Sequence, residues 1–267
     1  MRTRFLSMAQ ESAPSSQPTI LVIENDATCP AGLVGEWLLE DGFRLEVLTP
    51  HDGAELPLEV ADDVAAVLAL GGVIGAHDDD DADWLPAERT LLRNAVESGV
   101  PVLGICLGGQ LLAAANGGTV SVSDVTEIGV TEVHRTMDGL ADPVVSAARA
   151  VAGDTVPAVQ WHLDHVAQLP DGAVLLMTND ACHVQAFRLG ETAYGLQMHP
   201  EVDLRIFTDW IADSPESVPR TDRTASEALE TVRERRADLA SAWRPAIRSW
   251  GDLVWMRARA LGTVTGA

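Results

Sequence analysis

Cys106 stands where an apolar stretch meets a glycine-rich turn, in the sequence VPVLGICLGGQ of residues 100–110. The apolar residues predict a buried strand, and the residues after the cysteine predict a helix that starts at once. A sharp strand-to-helix turn needs small neighbours, which Gly104, Gly108 and Gly109 supply. The thiol then projects at a helix N-terminus, where partial positive charge stabilises a thiolate. The segment predicts a cysteine nucleophile. The alternative is a buried structural cysteine, which the flanking glycines disfavour.

A nucleophilic cysteine needs a base and a group that orients this base. The sequence YGLQMHPEV of residues 194–202 offers both. His199 follows a predicted strand, and the carboxylate of Glu201 can turn back to hold its ring. Alone, the pattern equally fits a loop histidine beside a helix-capping glutamate, but downstream of Cys106 it predicts a catalytic pair. The backbone N–H of Leu107, directly after the nucleophile, is free to bind a developing oxyanion.

The two motifs GICLGGQ and QMHPEV resemble those of the class I glutamine amidotransferases, and most closely stand-alone members similar to the glutaminase domain of GMP synthase. The resemblance covers residues 19–213. It implies that Cys106 attacks the side-chain amide of glutamine, that a glutamyl thioester forms and ammonia leaves, and that water releases glutamate. By position, it makes His199 the general base and acid and Glu201 the orienting carboxylate.

Further matches to this family imply an oxyanion hole and a glutamine pocket. The sequence ALGG of residues 69–72 matches the glycine turn after the third strand, so Gly72 would give a second oxyanion donor beside Leu107. Without the cysteine motif, it would be an ordinary strand-ending turn. The sequence VQWHLDHV of residues 159–166 resembles the W-H-x-D strand end that lines the substrate pocket. The substrate-binding residues implied by these matches are Gly71, Gln110, His162, Leu163 and Asp164.

A metal site is the competing interpretation of the second histidine motif. His162, Asp164 and His165 are residue types that bind zinc. No second ligand cluster has a convincing spacing, and a thiol hydrolase needs no metal. We therefore predict neither a metal nor another cofactor.

Apolar runs alternate with helical patterns in the first half of the chain, which predicts a parallel sheet covered by helices on both sides. The predicted class is α/β: a three-layer α/β/α sandwich with a mostly parallel sheet, and the resemblance implies the flavodoxin-like class I amidotransferase fold. Short antiparallel strands are expected within residues 118–156, and a meander over 173–197. A helix is expected over 201–213, and one or two helices over 224–261. The predicted organisation is a disordered N-terminal lead (1–18), an amidotransferase domain (19–213) and a helical C-terminal extension (214–267).

The composition and net charge of the chain limit the classes of partner that we expect. The chain has 267 residues, a net charge of −22, and arginine at all 18 of its basic positions. Clustered cations bind phosphates, so a nucleic-acid partner is not expected, and an acidic surface repels anionic membranes. An odd, low count of three cysteines indicates a reducing compartment. Since neither a secretory signal nor a long apolar run is visible, we predict a cytoplasmic protein.

Three functions are compatible with these residues. The first is a glutaminase that binds glutamine and delivers ammonia to a separate synthase or ligase, because the sequence contains no recognisable synthase domain or phosphate-binding loop. The second is a stand-alone hydrolase of γ-glutamyl amides or peptides with the same triad. The third is a scaffold that binds glutamine as a signal and whose cysteine is unreactive.

Overall fold

The computed structural model describes residues 17–151, 153–213, 221 and 224–264. The predicted disordered lead therefore lies outside the described residues, except for its last two positions. The same holds for residues 214–220, 222–223 and 265–267 of the predicted C-terminal extension.

The described chain forms nine strands and six α-helices. The strands are β1 (Thr19–Ile23), β2 (Arg44–Leu48), β3 (Val64–Ala69), β4 (Val102–Ile105), β5 (Thr119–Arg135), β6 (Thr155–Gln168), β7 (Val174–Thr178), β8 (Ala186–Leu189) and β9 (Ala193–Leu196). The helices are α1 (Gly32–Glu40), α2 (Leu85–Glu97), α3 (Leu107–Ala115), α4 (Met137–Ala141), α5 (Leu204–Asp213) and α6 (Ala225–Leu261). Among the described residues, no helix has both the length and the apolar character needed to cross a membrane.

All nine strands belong to one sheet, in the order β2-β1-β3-β4-β9-β8-β7-β5-β6. The half from β2 to β9 is parallel, and the half from β9 to β6 is antiparallel. The sheet is thus mixed, whereas the sequence predicted a mostly parallel one. The reason lies in the connections: helices link the early strands, but β7, β8 and β9 follow one another through short loops, which favour antiparallel neighbours.

Helices cover both faces of the sheet, which confirms the three-layer α/β/α class. Alternate residues of β1 point to opposite faces, as a strand requires. Ile20 and Val22 join the core under α1 and α6, and Leu21 and Ile23 join the core under α2 and α3. Strands buried on both faces show no polar alternation, and this explains the continuous apolar runs in the sequence.

The expectation of short strands within residues 118–156 was wrong. One strand, β5, runs for 17 residues and pairs with β6 along most of its length. Its first part is largely exposed and its second part is buried, so no uniform hydrophobic period marks it as one strand. The exposed part carries Val122 and Thr126 to the rim of the main cavity.

Helix α6 packs on the sheet through large side chains. Trp243 and Trp250 are almost fully buried in the same core as β1 and β3, and the indole of Trp243 donates to the carbonyl of Pro157 at 2.8 Å. The helix begins with a capping box between Thr224 and Glu227. It is a single helix of 37 residues, one of the two arrangements expected.

Candidate active site

Cys106 sits in the sharp turn between β4 and α3. Its backbone has a φ of 51° and a ψ of −109°. Among the non-glycine residues that the structure describes, Cys106 is the one with a positive φ. Such backbone strain costs of the order of 1–3 kcal/mol and persists only where surrounding contacts enforce it. Here its N–H donates to the carbonyl of Leu196 at 2.7 Å, and its own carbonyl accepts from Gln110 at 2.9 Å. The turn is held from both sides.

Two glycines make this turn sterically possible. A Cβ at Gly104 would lie 2.6 Å from the backbone of Gly108, and a Cβ at Gly108 would lie 2.1 Å from the carbonyl oxygen of Ala69. Both distances are shorter than real Cβ contacts allow. Helix α3 therefore approaches β3 and β4 closely enough for its N-terminus to lie directly behind the thiol. This is the chemical setting that the sequence predicted for Cys106.

The imidazole of His199 is buried beside a carboxylate. Its Nδ1 lies 2.7 Å from Oε1 of Glu201, and both side chains are almost completely buried. The backbone N–H of His199 donates to Val159 of strand β6 at 2.9 Å. The pairing of β4 with β9 ends at Ile105 and Leu196, so the residues that follow each strand, including Cys106 and His199, emerge at the same edge of the sheet.

The electrostatics of this edge favour a protonated imidazole. Burial lowers the pKa of His199, but the negative charges of Glu201 and of a Cys106 thiolate outweigh it and raise this pKa to about 10. A hydrogen bond toward Cys106 is a further cause of the raised pKa. Since Nδ1 is engaged by Glu201, Nε2 is the ring nitrogen on the side of the thiol.

A cavity of about 490 Å³ opens at this edge. Gly71 lies beneath it, since a Cβ there would be 3.5 Å from Cε1 of His199 and 3.7 Å from Cβ of Cys106. Glu201 stands behind His199 and is only 1% exposed. The cavity brings together most of the residues that sequence analysis singled out: Gly72, Cys106, Leu107, Gln110, His162, Leu163, Asp164 and His199.

Gln197 is a site residue that sequence reasoning missed. Its Nε2 lies 3.6 Å from the sulfur of Cys106, and its Oε1 accepts from Nε2 of Gln110 at 3.2 Å. A buried glutamine after the apolar residues of β9 was the available signal, because a buried amide has to find partners. The contact places an N–H donor directly on the candidate nucleophile.

Trp210 of helix α5 is a second residue without a sequence signal. Its indole meets the ring of His199 edge to face, with centroids 4.8 Å apart, and its Nε1 donates to the carbonyl of Thr28 at 2.7 Å. Helix α5 thus contacts the histidine ring through this indole.

A buried polar network lies behind the cavity, centred on Glu127 of strand β5. Its Oε1 accepts from Asn179 at 2.8 Å, and its Oε2 accepts from Gln185 at 2.8 Å and lies 3.2 Å from Nε2 of His162. The ligand atoms of Glu127, His162 and Cys182 also lie within 4.8 Å of one another, which is close enough to hold a metal ion. However, amide N–H donors face both oxygens of Glu127, which is the arrangement of a hydrogen-bonded carboxylate rather than of a metal ligand.

Fold and site together define a class: an α/β enzyme with a cysteine at a strand–helix elbow and a buried histidine–carboxylate pair beside it. Residues 36–214 match the model of the family described as glutamine amidotransferase class-I. The chain belongs to the class I glutamine amidotransferase family.

Relatives of this chain are both stand-alone proteins and parts of larger enzymes. The glutamine amidotransferase-like protein YfeJ of Salmonella typhimurium is 28% identical over 210 residues, which cover 78% of this chain and 84% of YfeJ. The glutamine-hydrolysing GMP synthase of Clostridium novyi is 39% identical over 119 residues, or 43% of this chain and 21% of that enzyme. The chain thus spans about a fifth of that GMP synthase.

Among solved structures, the chain is similar to a glutamine amidotransferase from Methylobacillus flagellatus. The TM-score is 0.79 at 28% identity, and the match covers 90% of this chain and 96% of that one.

Proposed function

We propose that this chain hydrolyses glutamine through a thioester on Cys106, with His199 as general base and acid and Glu201 as the carboxylate that orients it, and that the ammonia passes to an acceptor on another chain. The observation that carries the proposal is the arrangement at one sheet edge. The strained Cys106 turn and the buried His199–Glu201 pair meet at one cavity, and Cys106 is among the groups that raise the pKa of His199.

The first half of the reaction uses a thiolate and an imidazolium. The sulfur of Cys106 attacks the amide carbon of glutamine, and the carbonyl oxygen takes the negative charge. The first N–H groups of a helix have no partner within the helix, so the N–H of Leu107 supports this oxyanion together with that of Gly72. Nε2 of His199 then gives its proton to the amide nitrogen, the carbon–nitrogen bond breaks, and ammonia leaves.

The second half reverses the roles of the imidazole. Nε2 of His199, now neutral, takes a proton from water, and the resulting hydroxide attacks the thioester carbon. The carbon–sulfur bond breaks, and glutamate and the Cys106 thiolate are released. Glu201 stabilises the imidazolium in both halves through its 2.7 Å contact with Nδ1.

The names of relatives support a separate acceptor. One relative, 37% identical over 107 residues, is named as one of the subunits of a glutamine-hydrolysing GMP synthase in Natronomonas pharaonis. A glutaminase of that kind hands its ammonia to a partner chain, and a synthase or ligase is the class of partner that consumes ammonia. The glutamine would be held by residues of the cavity wall, namely Gln110, His162, Leu163 and Asp164. Gly71 lies beneath them.

Glutamate release from glutamine tests the proposal, measured for the wild type and for Cys106→Ala. We expect the variant to lose activity by several orders of magnitude, since removal of a nucleophile leaves only binding and oxyanion stabilisation. Cys182→Ala is the matched control, because that thiol does not line the cavity and donates to the carbonyl of Val184. Full activity of Cys106→Ala would overturn the mechanism. If the wild type releases no glutamate from glutamine but cleaves γ-glutamyl dipeptides, the result would favour the stand-alone hydrolase.

A further inference from the structure

We propose that Glu127 is a positioning residue for the nucleophile, connected to the sulfur of Cys106 by a chain of hydrogen bonds. This inference rests on the proposed function of Cys106. Glu127 is only 5% exposed and lies on strand β5, behind the wall of the cavity. The chain of hydrogen bonds, named the relay here, consists of Glu127, His162, Asp164, Gln110, Gln197 and Cys106.

The orientation of the amides in the relay follows from the carbonyl of Asp164. A carbonyl oxygen only accepts, so the group of Gln110 that faces it at 3.0 Å is the Nε2 donor. The same Nε2 lies 3.2 Å from the side chain of Gln197, which therefore presents its Oε1 there. The remaining end of the Gln197 amide is Nε2, which faces the sulfur of Cys106. The carbonyl thus determines that the sulfur meets a donor, and a donor stabilises a thiolate.

The carbonyl of Asp164 is itself held by His162. Nδ1 of His162 lies 3.1 Å from this oxygen, and Nε2 lies 3.2 Å from Oε2 of Glu127. Burial raises the pKa of Glu127, but the hydrogen bond and the charge of His162, with the hydrogen bonds from Asn179 and Gln185, outweigh it and leave this pKa below its usual value. Glu127 is therefore a carboxylate that accepts, and both nitrogens of His162 face acceptors.

Neutralising Glu127 removes the reason for that arrangement. A glutamine amide at position 127 can turn its own N–H donor toward Nε2 of His162, so the ring is no longer held by an acceptor at that nitrogen. The Asp164 carbonyl and the amides of Gln110 and Gln197 are then free to reorient. We expect two effects: a less reactive Cys106 thiol, and weaker binding of glutamine by the His162–Asp164 wall of the cavity.

The experiment compares Glu127→Gln with Glu132→Gln, which makes the same charge change at an exposed position of the same strand. The first readout is the rate at which iodoacetamide alkylates Cys106, followed by mass spectrometry, and the second is kcat and KM for glutamine. Since hydrogen bonds to charged groups contribute about 1.5–3 kcal/mol, we expect alkylation of Glu127→Gln to slow about tenfold and KM to rise. Glu132→Gln should behave as the wild type.

A double-mutant cycle separates the relay from a merely structural role. Gln197→Leu removes the donor at the sulfur and should slow alkylation about as much as Glu127→Gln does. The double variant should be no slower than Gln197→Leu alone, because both changes break one pathway. Additive effects would show that Glu127 acts independently of Gln197, and wild-type alkylation in Glu127→Gln would overturn the proposal outright.

A second variant covers the case in which Glu127→Gln does not fold. Glu127→Asp keeps the charge but draws the carboxylate back from Nε2 of His162, which lies 3.2 Å from it in the wild type. Alkylation of Cys106 should slow in this variant as well, and an unchanged rate would overturn the relay. The two proposals fail in different ways. Hydrolysis by Cys106→Ala would reject the proposed function, whereas an inactive Cys106→Ala together with normal alkylation of Glu127→Gln would reject the relay alone.

Discussion

Gly32 lies directly against the carbonyl oxygen of Glu201, so that a Cβ at position 32 would be 2.2 Å from that oxygen. Gly32 also has a φ of +44°, and the next residue, Leu33, donates its N–H to the same oxygen at 2.9 Å. The start of helix α1 thus fixes the backbone of the residue that holds the imidazole of His199. A position remote in sequence is part of the geometry of the candidate active site.

Gly32→Ala is expected to lower both stability and kcat, because the new methyl group has to displace Glu201. Gly53→Ala is its control. Gly53 has a φ of +87° with open space around it, so this variant carries only the backbone cost of about 1–2 kcal/mol. Urea unfolding and glutamine hydrolysis measure the two effects. Equal losses in the two variants would mean that the contact with Glu201 is unimportant.

Trp210→Phe should lower kcat about fivefold and leave the fold intact. Phenylalanine retains an aromatic edge near His199 but loses the 2.7 Å hydrogen bond to Thr28, and such a bond contributes about 1 kcal/mol. The imidazole is then less well supported from α5. Trp255→Phe, on α6 against Phe43, is the matched change away from the site and should leave kcat unaltered. Identical kcat values for both variants would reject a supporting role for Trp210.

Glu201→Gln should move the alkaline limb of the kcat–pH profile to lower pH. The carboxylate raises the pKa of His199, which reaches about 10 in the intact site. Without it, the imidazolium loses its proton at lower pH, and the leaving amine loses its acid. A pH series of glutamine hydrolysis measures the shift, with Glu191→Gln, an exposed position before β9, as the control. An unmoved alkaline limb would contradict the assignment of Glu201.

Glu88→Gln should make stability less dependent on pH. Glu88 is fully buried on α2, and burial, opposed by Asn25 and Arg89, raises its pKa from 4.5 to about 8. A carboxyl whose pKa is raised in the folded state binds more protons there than in the unfolded state. The free energy of unfolding of the wild type therefore falls as the pH rises from 4.5 to about 8. At about 1.4 kcal/mol per pKa unit, the wild type should lose up to several kcal/mol relative to the variant.

Urea unfolding at about pH 5 and about pH 9 checks this difference. Glu97→Gln changes an exposed carboxyl on the same helix and should show no comparable trend. A stability gap between Glu88→Gln and the wild type that stays constant over this pH range would mean that Glu88 does not titrate as described.

Local sequence was sufficient for the elements and side chains that are close together along the chain. The elbow at Cys106 depends on glycines within four residues of it, and the His199–Glu201 pair spans two residues. Each is determined by backbone geometry that neighbouring residues impose, so a motif predicts it. The alternating strands and helices of the parallel half were predictable for the same reason, since buried strands are short apolar runs bounded by turns.

The contacts between residues that are distant in sequence depend on which strands pair. Glu127 meets His162 because β5 and β6 pair in a register that sets these two residues opposite each other, and Gln197 meets Cys106 because β9 lies beside β4. Such contacts depend on which strands are neighbours, and no residue pattern within one strand encodes its neighbour. The 17-residue strand β5 differs from expectation for this reason, whereas the expected meander is present as β7, β8 and β9.

By itself, the sequence determined which residues are candidates for the chemistry: a cysteine in a glycine-lined turn and a histidine with its carboxylate, each encoded within a few consecutive residues. Tertiary structure alone decided what surrounds that chemistry, namely the contact of Gln197 with the sulfur, the packing of Trp210 on His199, and the buried carboxylate of Glu127. The physical reason is that a turn is shaped by local sterics, whereas a buried polar group finds its partners only when distant segments pack and exclude water.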